Sequence, residues 1–389
     1  MMEEPVKDDE ITHTSEAVFG VGKNARVVTH VSHFVDNLSE VVKAMGISTA
    51  VPIRQGGRIA LGNDHAFNAR PFYDAGLNYF LGVRVVTGHT RPASTFSAGN
   101  ALGGVNNANA TLGDTFISGF VEGGMLSALV SIKIVDKEKQ KEVVNAVDTI
   151  LGVQCGAFRS PQDVDFATKA LAELAEITIQ LHSTGSAVPE PVGQPRTLDS
   201  LRDIASKFPA RAAMNPERIA VILTKYESLQ GYQALRSTGS ITACYDHTSL
   251  YIDTLMDSFM EFQNFDRRLS AQLSDIKAGT KQFDVVDSYA LALDIDSDHS
   301  RAQSRYESSW SGLARAKREC LIQMMKIVNE VEETRKNPSI ATDIARIEGF
   351  QSPLEFNDRL PKVKEVAELR YPEKVCSQMK DLQLESIYV

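Results

Sequence analysis

Cysteine is scarce: Cys155, Cys244, Cys320 and Cys376 stand far apart, with no CxxC spacing among them. They read as free thiols in a reducing compartment rather than as a disulfide frame or a zinc site. Long apolar runs are missing as well. No stretch of about 18 apolar residues occurs, so no helix of the chain as written spans a bilayer. A basic surplus is also lacking, with 41 Lys and Arg against 50 Asp and Glu and a net charge of -9. Nucleic acid is therefore not expected as a partner, because neutralising phosphates needs clustered cations. Lys133, Lys137, Lys139 and Lys141 are interleaved with Asp136, Glu138 and Glu142 and read as a solvated face. An acidic chain also gains little from an anionic leaflet, which leaves specific lipid contacts, apolar insertion or a partner as routes to a membrane. The acidic start, Met1 to Glu10, has neither a basic segment nor an apolar one of the secretory kind. A cytoplasmic location before any release is the expectation, with membrane association once assembled.

Catalytic and cofactor motifs are missing too. There is no GxSxG elbow, HExxH pair or Walker loop. Residues 19–25, Phe-Gly-Val-Gly-Lys-Asn-Ala, have the outline of a dinucleotide loop, but the sequence suggests no strand before them and β structure after them. His30 and His33 fall on opposite faces of that expected strand and read as satisfied polar residues. Asp294-Ile295-Asp296-Ser297-Asp298 opens like a calcium loop, yet His299 stands where glycine is needed and Arg305 where the bidentate Glu belongs. The expectations are no enzyme, no cofactor and no metal.

What the chain does have is a long strand pattern. Leu126, Ala128, Val130, Ile132 and Ile134 share one parity, while Ser127, Leu129, Ser131 and Lys133 take the other. Just before them lie Gly123 and Gly124. Adjacent glycines inside a strand mark a bulge, a bend or a close backbone approach. Residues 77–86 form a second strand, with Tyr79, Leu81, Val83 and Val85 on one side. Residues 38–86 otherwise read as strands and turns. Residues 136–178 carry two helical stripes, Val143, Val147, Ile150 and Leu151, then Phe166, Ala170, Leu174 and Ile177, divided by Ser160-Pro161. Val143, Val147, Leu151 and Val153 also share strand parity, so this stretch scores at both periods and both a helical pair and a convertible hairpin stay open.

Residues 177–181 read as a returning strand. Residues 198–208 form a helix that Pro209 should end, and Asn215-Pro216-Glu217 should cap a further helical or mixed segment. Past Gly239 the pattern becomes helical. Tyr251, Leu255, Phe259 and Phe262 begin a long helix ending at Gly279. A second runs from Tyr306 through Trp310 to Val331 and stops before Asn337-Pro338. Ser352-Pro353-Leu354-Glu355 has the form of a capping box.

The stretch Leu112 to Gly124 resembles the signature of the membrane attack complex/perforin (MACPF) family, an aromatic-Gly-Thr/Ser-His-aromatic run followed after six residues by Gly-Gly. Gly113, Phe116, Gly123 and Gly124 sit at that spacing, while Leu112, Asp114 and Thr115 depart from it. Residues 16–232 carry the resemblance, after an acidic tail at 1–15 and before an α-helical region at 233–389. A comparable helical tail occurs in intracellular fungal MACPF-like proteins. The resemblance implies an α+β fold with a bent, mostly antiparallel central sheet flanked by helical clusters. It implies insertions near 88–111 and 136–178, with Val143, Val147, Leu151, Val153, Phe166 and Leu174 as membrane-inserting candidates. It implies self-association, with lipid and, through the tail, a protein as further partners. The insertion at 88–111 offers a poor lipid face, which keeps open a non-lytic scaffold that retains the fold. Valines at both Gly123 and Gly124 are expected to leave the monomer folded while stopping assembly.

Overall fold

The computed structural model describes residues 13–19, 26–61, 64–91, 115–154, 157–185, 196–228, 248–284, 305–343, 346 and 349–366. Two compact units are present, one formed by residues 1–260 and 327–349, the other by 261–326 and 350–389.

The first unit is built on a six-stranded antiparallel sheet. Its strands are β1 (His13–Phe19), β2 (Arg26–Phe34), β5 (Leu77–Thr90), β6 (Thr115–Ile134), β9 (Ala175–Thr184) and β10 (Glu217–Lys225). The order is β1-β2-β5-β6-β10, and β9 pairs with β6 as well. β1 begins inside the stretch expected as tail and supplies the strand before the glycine loop that the sequence does not suggest. Residues 20–25 of that loop lie outside the described residues.

Between β2 and β5 the chain forms short helices α1 (Leu38–Ala44), α2 (Ala50–Arg54) and α3 (Ala69–Asp74), with a hairpin of β3 (Ile59–Leu61) and β4 (Asp64–Phe67). The expectation of strands and turns alone is corrected here. Asn37 and Asn68 cap α1 and α3 by accepting backbone N–H bonds, a local signal stronger than the mixed periodicity around it. Between β6 and β9 lie α4 (Gln140–Leu151), the short pair β7 (Val153–Gln154) and β8 (Ala157–Phe158), and α5 (Pro161–Leu174).

The alternation in β6 holds, with Leu126, Ala128, Val130 and Ile132 fully buried beside Tyr79, Leu81, Val83 and Val85 of β5. The opposite parity is covered too, since Ser127, Leu129 and Ser131 are buried. Over the first face lie α4 through Val143, Val147, Ile150 and Leu151, and α5 through Val164, Ala167 and Leu171. Also on it lies α6 (Leu198–Met214), through Leu201, Ala205, Phe208 and Ala212. The α5 stripe expected from sequence is therefore displaced: Phe166 faces solvent and Ile177 belongs to β9.

Two further expectations fail nearby. α6 runs through Pro209 to Met214 instead of ending there, because burial of Phe208 and Ala212 on the sheet outweighs one missing hydrogen bond. The Pro209 carbonyl also accepts a bond from Arg26 Nη1 at 3.4 Å. Residues 217–225 form β10 rather than a helix, since pairing with β6 overrides the Asn-Pro-Glu signal.

The helical region contains α7 (Thr248–Ala278), which matches the sequence pattern, and α8 (Trp310–Lys336), which starts at Trp310 and leaves Tyr306, expected inside it, before the helix. Gly279 follows α7 at φ +76°, a left-handed residue that ends the helix. Each helix contributes residues to both units. In the second unit Phe262, Phe265, Tyr306 and Phe356 form a ring cluster, with centroids 5.4 to 6.0 Å apart. Phe356 comes from α9 (Pro353–Asp358), whose Ser352 makes no side-chain cap bond, so the expected capping box does not form. β11 (Lys281–Phe283) pairs with β12 (Val363–Glu365). Cys320 is buried, and burial pushes its thiol up to about 12, which makes it a packing residue. The other three cysteines lie outside the described residues.

Candidate functional site

β6 has two partners on one edge. Thr115 to Gly123 pairs with β10, and Met125 to Ile134 pairs with β9. The exchange happens at Gly123-Gly124. On the opposite edge β5 runs alongside without a break, except for a bulge at Thr87, whose hydroxyl donates to the Glu122 carbonyl at 3.2 Å. A bulge bends its strand and deepens the twist, and this one lies beside the glycine pair.

The glycines are required sterically. Gly123 has φ +157°, and a Cβ there would run into the Val85 carbonyl oxygen. A Cβ on Gly124 would lie 2.5 Å from Ala212 Cβ, 3.1 Å from the Thr184 oxygen and 3.2 Å from Phe208 Cζ. Gly185 follows β9 at φ +82°, and its Cβ would lie 2.8 Å from Gly124 Cα and run into the Gly123 oxygen. Here β5, β6, the end of β9 and α6 meet almost backbone to backbone. The expectation that paired valines spare the monomer is therefore corrected, since the closed structure has no room for either side chain. The strand pattern points to Gly123 and Gly124 but not to Gly185, whose role depends on which backbone faces it. Ala212 carried no signal, because alanine on a helix is unremarkable until the facing residue is known.

The sheet register places the insertions. Phe34 of β2 lies opposite Tyr79, Leu77 opposite Ile132, and Ile134 opposite Ala175. Residues 35–76 and 135–174 therefore leave and re-enter the sheet at one end, each between antiparallel neighbours. β5 ends and β6 begins at the other end, near the Thr90–Phe120 pair. Of the insertion placed at 88–111, Gly88 and Thr90 belong to β5 and residues 92–111 lie outside the described residues; the helical segment at the same end as 135–174 is 35–76. Gly113 and Asp114 lie outside the described residues too.

Of the remaining site residues, Phe116 lies in β6 with its ring 5.5 Å from Tyr226. Val143, Val147, Leu151 and Val153 are buried against the sheet, and Leu174 is half-buried at the end of α5. Phe166 is 80% exposed. The segment is held partly by α6: Thr168 Oγ1 donates to Asp199 at 3.1 Å, and Arg202 donates to the Arg159 carbonyl. Arg159 also pairs with Asp148 at 3.3 Å.

A histidine lies beneath this segment. His30 of β2 is 5% exposed and opposes Val83 in the sheet. Its ring meets Phe158 edge-on at 6.3 Å, and the Arg202 guanidinium lies 5.7 Å from the centroid of that same Phe158 ring. Its Nδ1 has no hydrogen-bond partner among the described residues. Burial lowers its pKa from the ordinary 6.5. On the same face burial pushes the Tyr79 phenol up, so both rings stay neutral near pH 7. Sequence reading took His30 for a satisfied polar residue; its unpaired nitrogen emerges only from packing.

Among the described residues no group of His, Cys, Asp and Glu is placed to hold a metal, and no helix is long and apolar enough to cross a membrane. No family model matches the chain, and no curated protein matches it. Among solved structures the chain is similar to stonustoxin, with 12% identity and a TM-score of 0.38, over 89% of this chain and 46% of that one. The chain thus spans about half the length of that structure, and a likeness at this score carries no argument about fold or function.

Proposed function

We propose that the chain is a MACPF-like pore-forming-type protein whose sheet unbends at Gly123-Gly124 while residues 35–76 and 135–174 unfurl into β-hairpins. One observation carries this reading: both helical segments spring from the same end of the sheet, each bridging adjacent antiparallel strands. Unfurled, each would extend a strand pair already in register. Each segment has about 40 residues, against roughly 9–11 for one spanning strand.

The sequence of 135–174 suits both states. Phe158, Val164, Phe166, Thr168, Ala170, Ala172 and Leu174 share one strand parity, and Arg159, Asp163, Asp165, Lys169 and Glu173 share the other. Phe166 is costly to expose on α5, yet it would sit in the middle of the apolar face of a strand. In 35–76, Ile59, Leu61, Phe67, Ala69 and Tyr73 alternate with Arg58, Asp64, Asn68, Arg70 and Asp74 in the same way.

The test is dye release from liposomes, with Phe166→Asp as the discriminating variant. An exposed site tolerates the change within about 0.5 kcal/mol of stability. The variant keeps the wild-type melting temperature and loses leakage, because a charge at the bilayer midplane of a strand is expensive. A second reading, a non-lytic scaffold that binds a partner through its helical region, is favoured by Lys43 and Pro52 in the first segment. Lys43 would fall on an apolar face, and Pro52 would leave an inter-strand bond unmade. Wild-type protein that releases no dye from neutral, anionic and sterol-containing liposomes would remove the pore-forming reading and support the second.

A further inference from the structure

The two segments are fastened by different parts of the molecule. Residues 135–174 are tied to α6 through Thr168–Asp199 and Arg202–Arg159. Residues 35–76 are tied to the helical region instead. Ser39 Oγ of α1 lies 3.0 Å from Asp257 Oδ2 and 2.8 Å from Asn37 Oδ1, sharing its proton between them, and Thr49 Oγ1, just before α2, donates to Asp253 Oδ1 at 2.8 Å. Lys43 Nζ lies 3.0 Å from Asp253, and Arg54 Nε of α2 lies 2.9 Å from Glu332 of α8. Ser39 and Thr49 are each only 4% exposed, so these hydroxyls bond within the protein and not to water.

Three features single out these contacts from incidental surface pairs. Asp253 and Asp257 stand four residues apart on α7, where like charges oppose one another and weaken an isolated helix. Their placement makes sense once a lysine and two hydroxyls reach them from α1 and α2. Thr49 holds the N-cap position of α2 yet makes no cap bond, its hydroxyl being spent on Asp253. Burial raises the pKa of Asp257, whose Oδ1 has no hydrogen-bond partner among the described residues, so this carboxylate is held where it is costly to keep charged.

We infer that α7 and α8 latch residues 35–76 in their helical form, through Asp253, Asp257 and Glu332, so that the two segments are released by separate events. As a control on membrane insertion the latch rests on the pore-forming reading; as a contact in the soluble protein it does not. Whatever pulls the helical region away would free 35–76 and leave 135–174 docked on the sheet under α6.

Hydrogen–deuterium exchange on the full chain tests this. In Asp253→Ala/Asp257→Ala, alanine preserves α7 as a helix. Exchange over residues 38–54 rises at least tenfold, while exchange over 140–174 stays within twofold. Asp253→Asn/Asp257→Asn keeps an acceptor for each hydroxyl and restores most of the protection, which separates the latch from general loosening. Unchanged exchange over 38–54, or an equal rise in both segments, would overturn the latch. Loosening confined to 38–54 in a protein whose wild type releases no dye would uphold the latch and remove the pore-forming reading instead.

Discussion

The two halves of β6 differ in partner, in burial and in what they can lose. From Met125 onward the strand is packed on both faces: Leu126, Ala128, Leu129 and Val130 are fully buried and β9 closes the edge. Before Gly123 it is paired with β10 in a thinner setting, where Ile117, Val221 and Leu223 are exposed. One continuous strand thus crosses from a thick layer into a thin one. The crossing falls where Gly123, Gly124 and Gly185 let backbones touch. A hinge needs such a boundary, because only a region with few side-chain contacts on one side can turn without tearing a core.

Four changes would break or sharpen that contrast. The largest effect is expected at the boundary itself. Gly123→Ala drives a methyl into the Val85 carbonyl and destabilises the fold by about 4 kcal/mol or more, measured by urea unfolding. Next comes the thick half, where Leu126→Ala removes a fully buried side chain and costs about 2–5 kcal/mol. The matching change in the thin half, Leu223→Ala, stays within about 0.5 kcal/mol. Equal losses at the two sites would erase the contrast. Gly124→Ala collides with Ala212, so Ala212→Gly should recover part of the loss, with a coupling of about 0.5–3 kcal/mol in a double-mutant cycle. Additive losses would mean that α6 does not seat on Gly124.

The smallest effect is pH-dependent and confined to the thick half. His30, Val83 and Leu126 lie side by side on neighbouring strands. The folded state holds His30 below its ordinary pKa of 6.5, so the unfolded chain takes up a proton that the folded chain refuses. Stability is therefore undiminished by this group above pH 6.5. It falls as the pH drops below that value, until the lowered pKa is passed. Melting temperatures measured from pH 7.5 down to 5 should decline more in the wild type than in His30→Leu. The ring facing His30 fits that direction, since Phe158 offers no proton acceptor. Identical slopes in the two proteins would exclude His30 as the sensitive group.

Much of this fold could be read from the chain in advance. The parity of Leu126 to Ile134 follows from a period of two, and the stripe of Val143, Val147, Ile150 and Leu151 from a period of 3.6. Both are local properties of a buried face. The errors share a cause of their own. Phe166, Pro209 and residues 217–225 each carry a local preference that a distant surface overrules: α5 turns Val164 inward, α6 is held down past its proline, and β10 is recruited by an open edge of β6. The capping asparagines at 37 and 68 are local signals that the strand-and-turn reading of 38–86 does not use.

The sequence by itself determined the α+β class, the glycine pair inside a long strand and the helical character of the C-terminal region, because strand alternation, helical stripes and glycine's missing side chain act over a few neighbouring residues. Only the tertiary structure decided which segments share an end of the sheet, that Gly185 and Ala212 complete the boundary, and that α1 and α2 are tied to Asp253, Asp257 and Glu332. Those facts depend on strand register and on which helix lies over which strand. Both are settled by contacts between residues up to two hundred or so positions apart, as with Ser39 and Asp257.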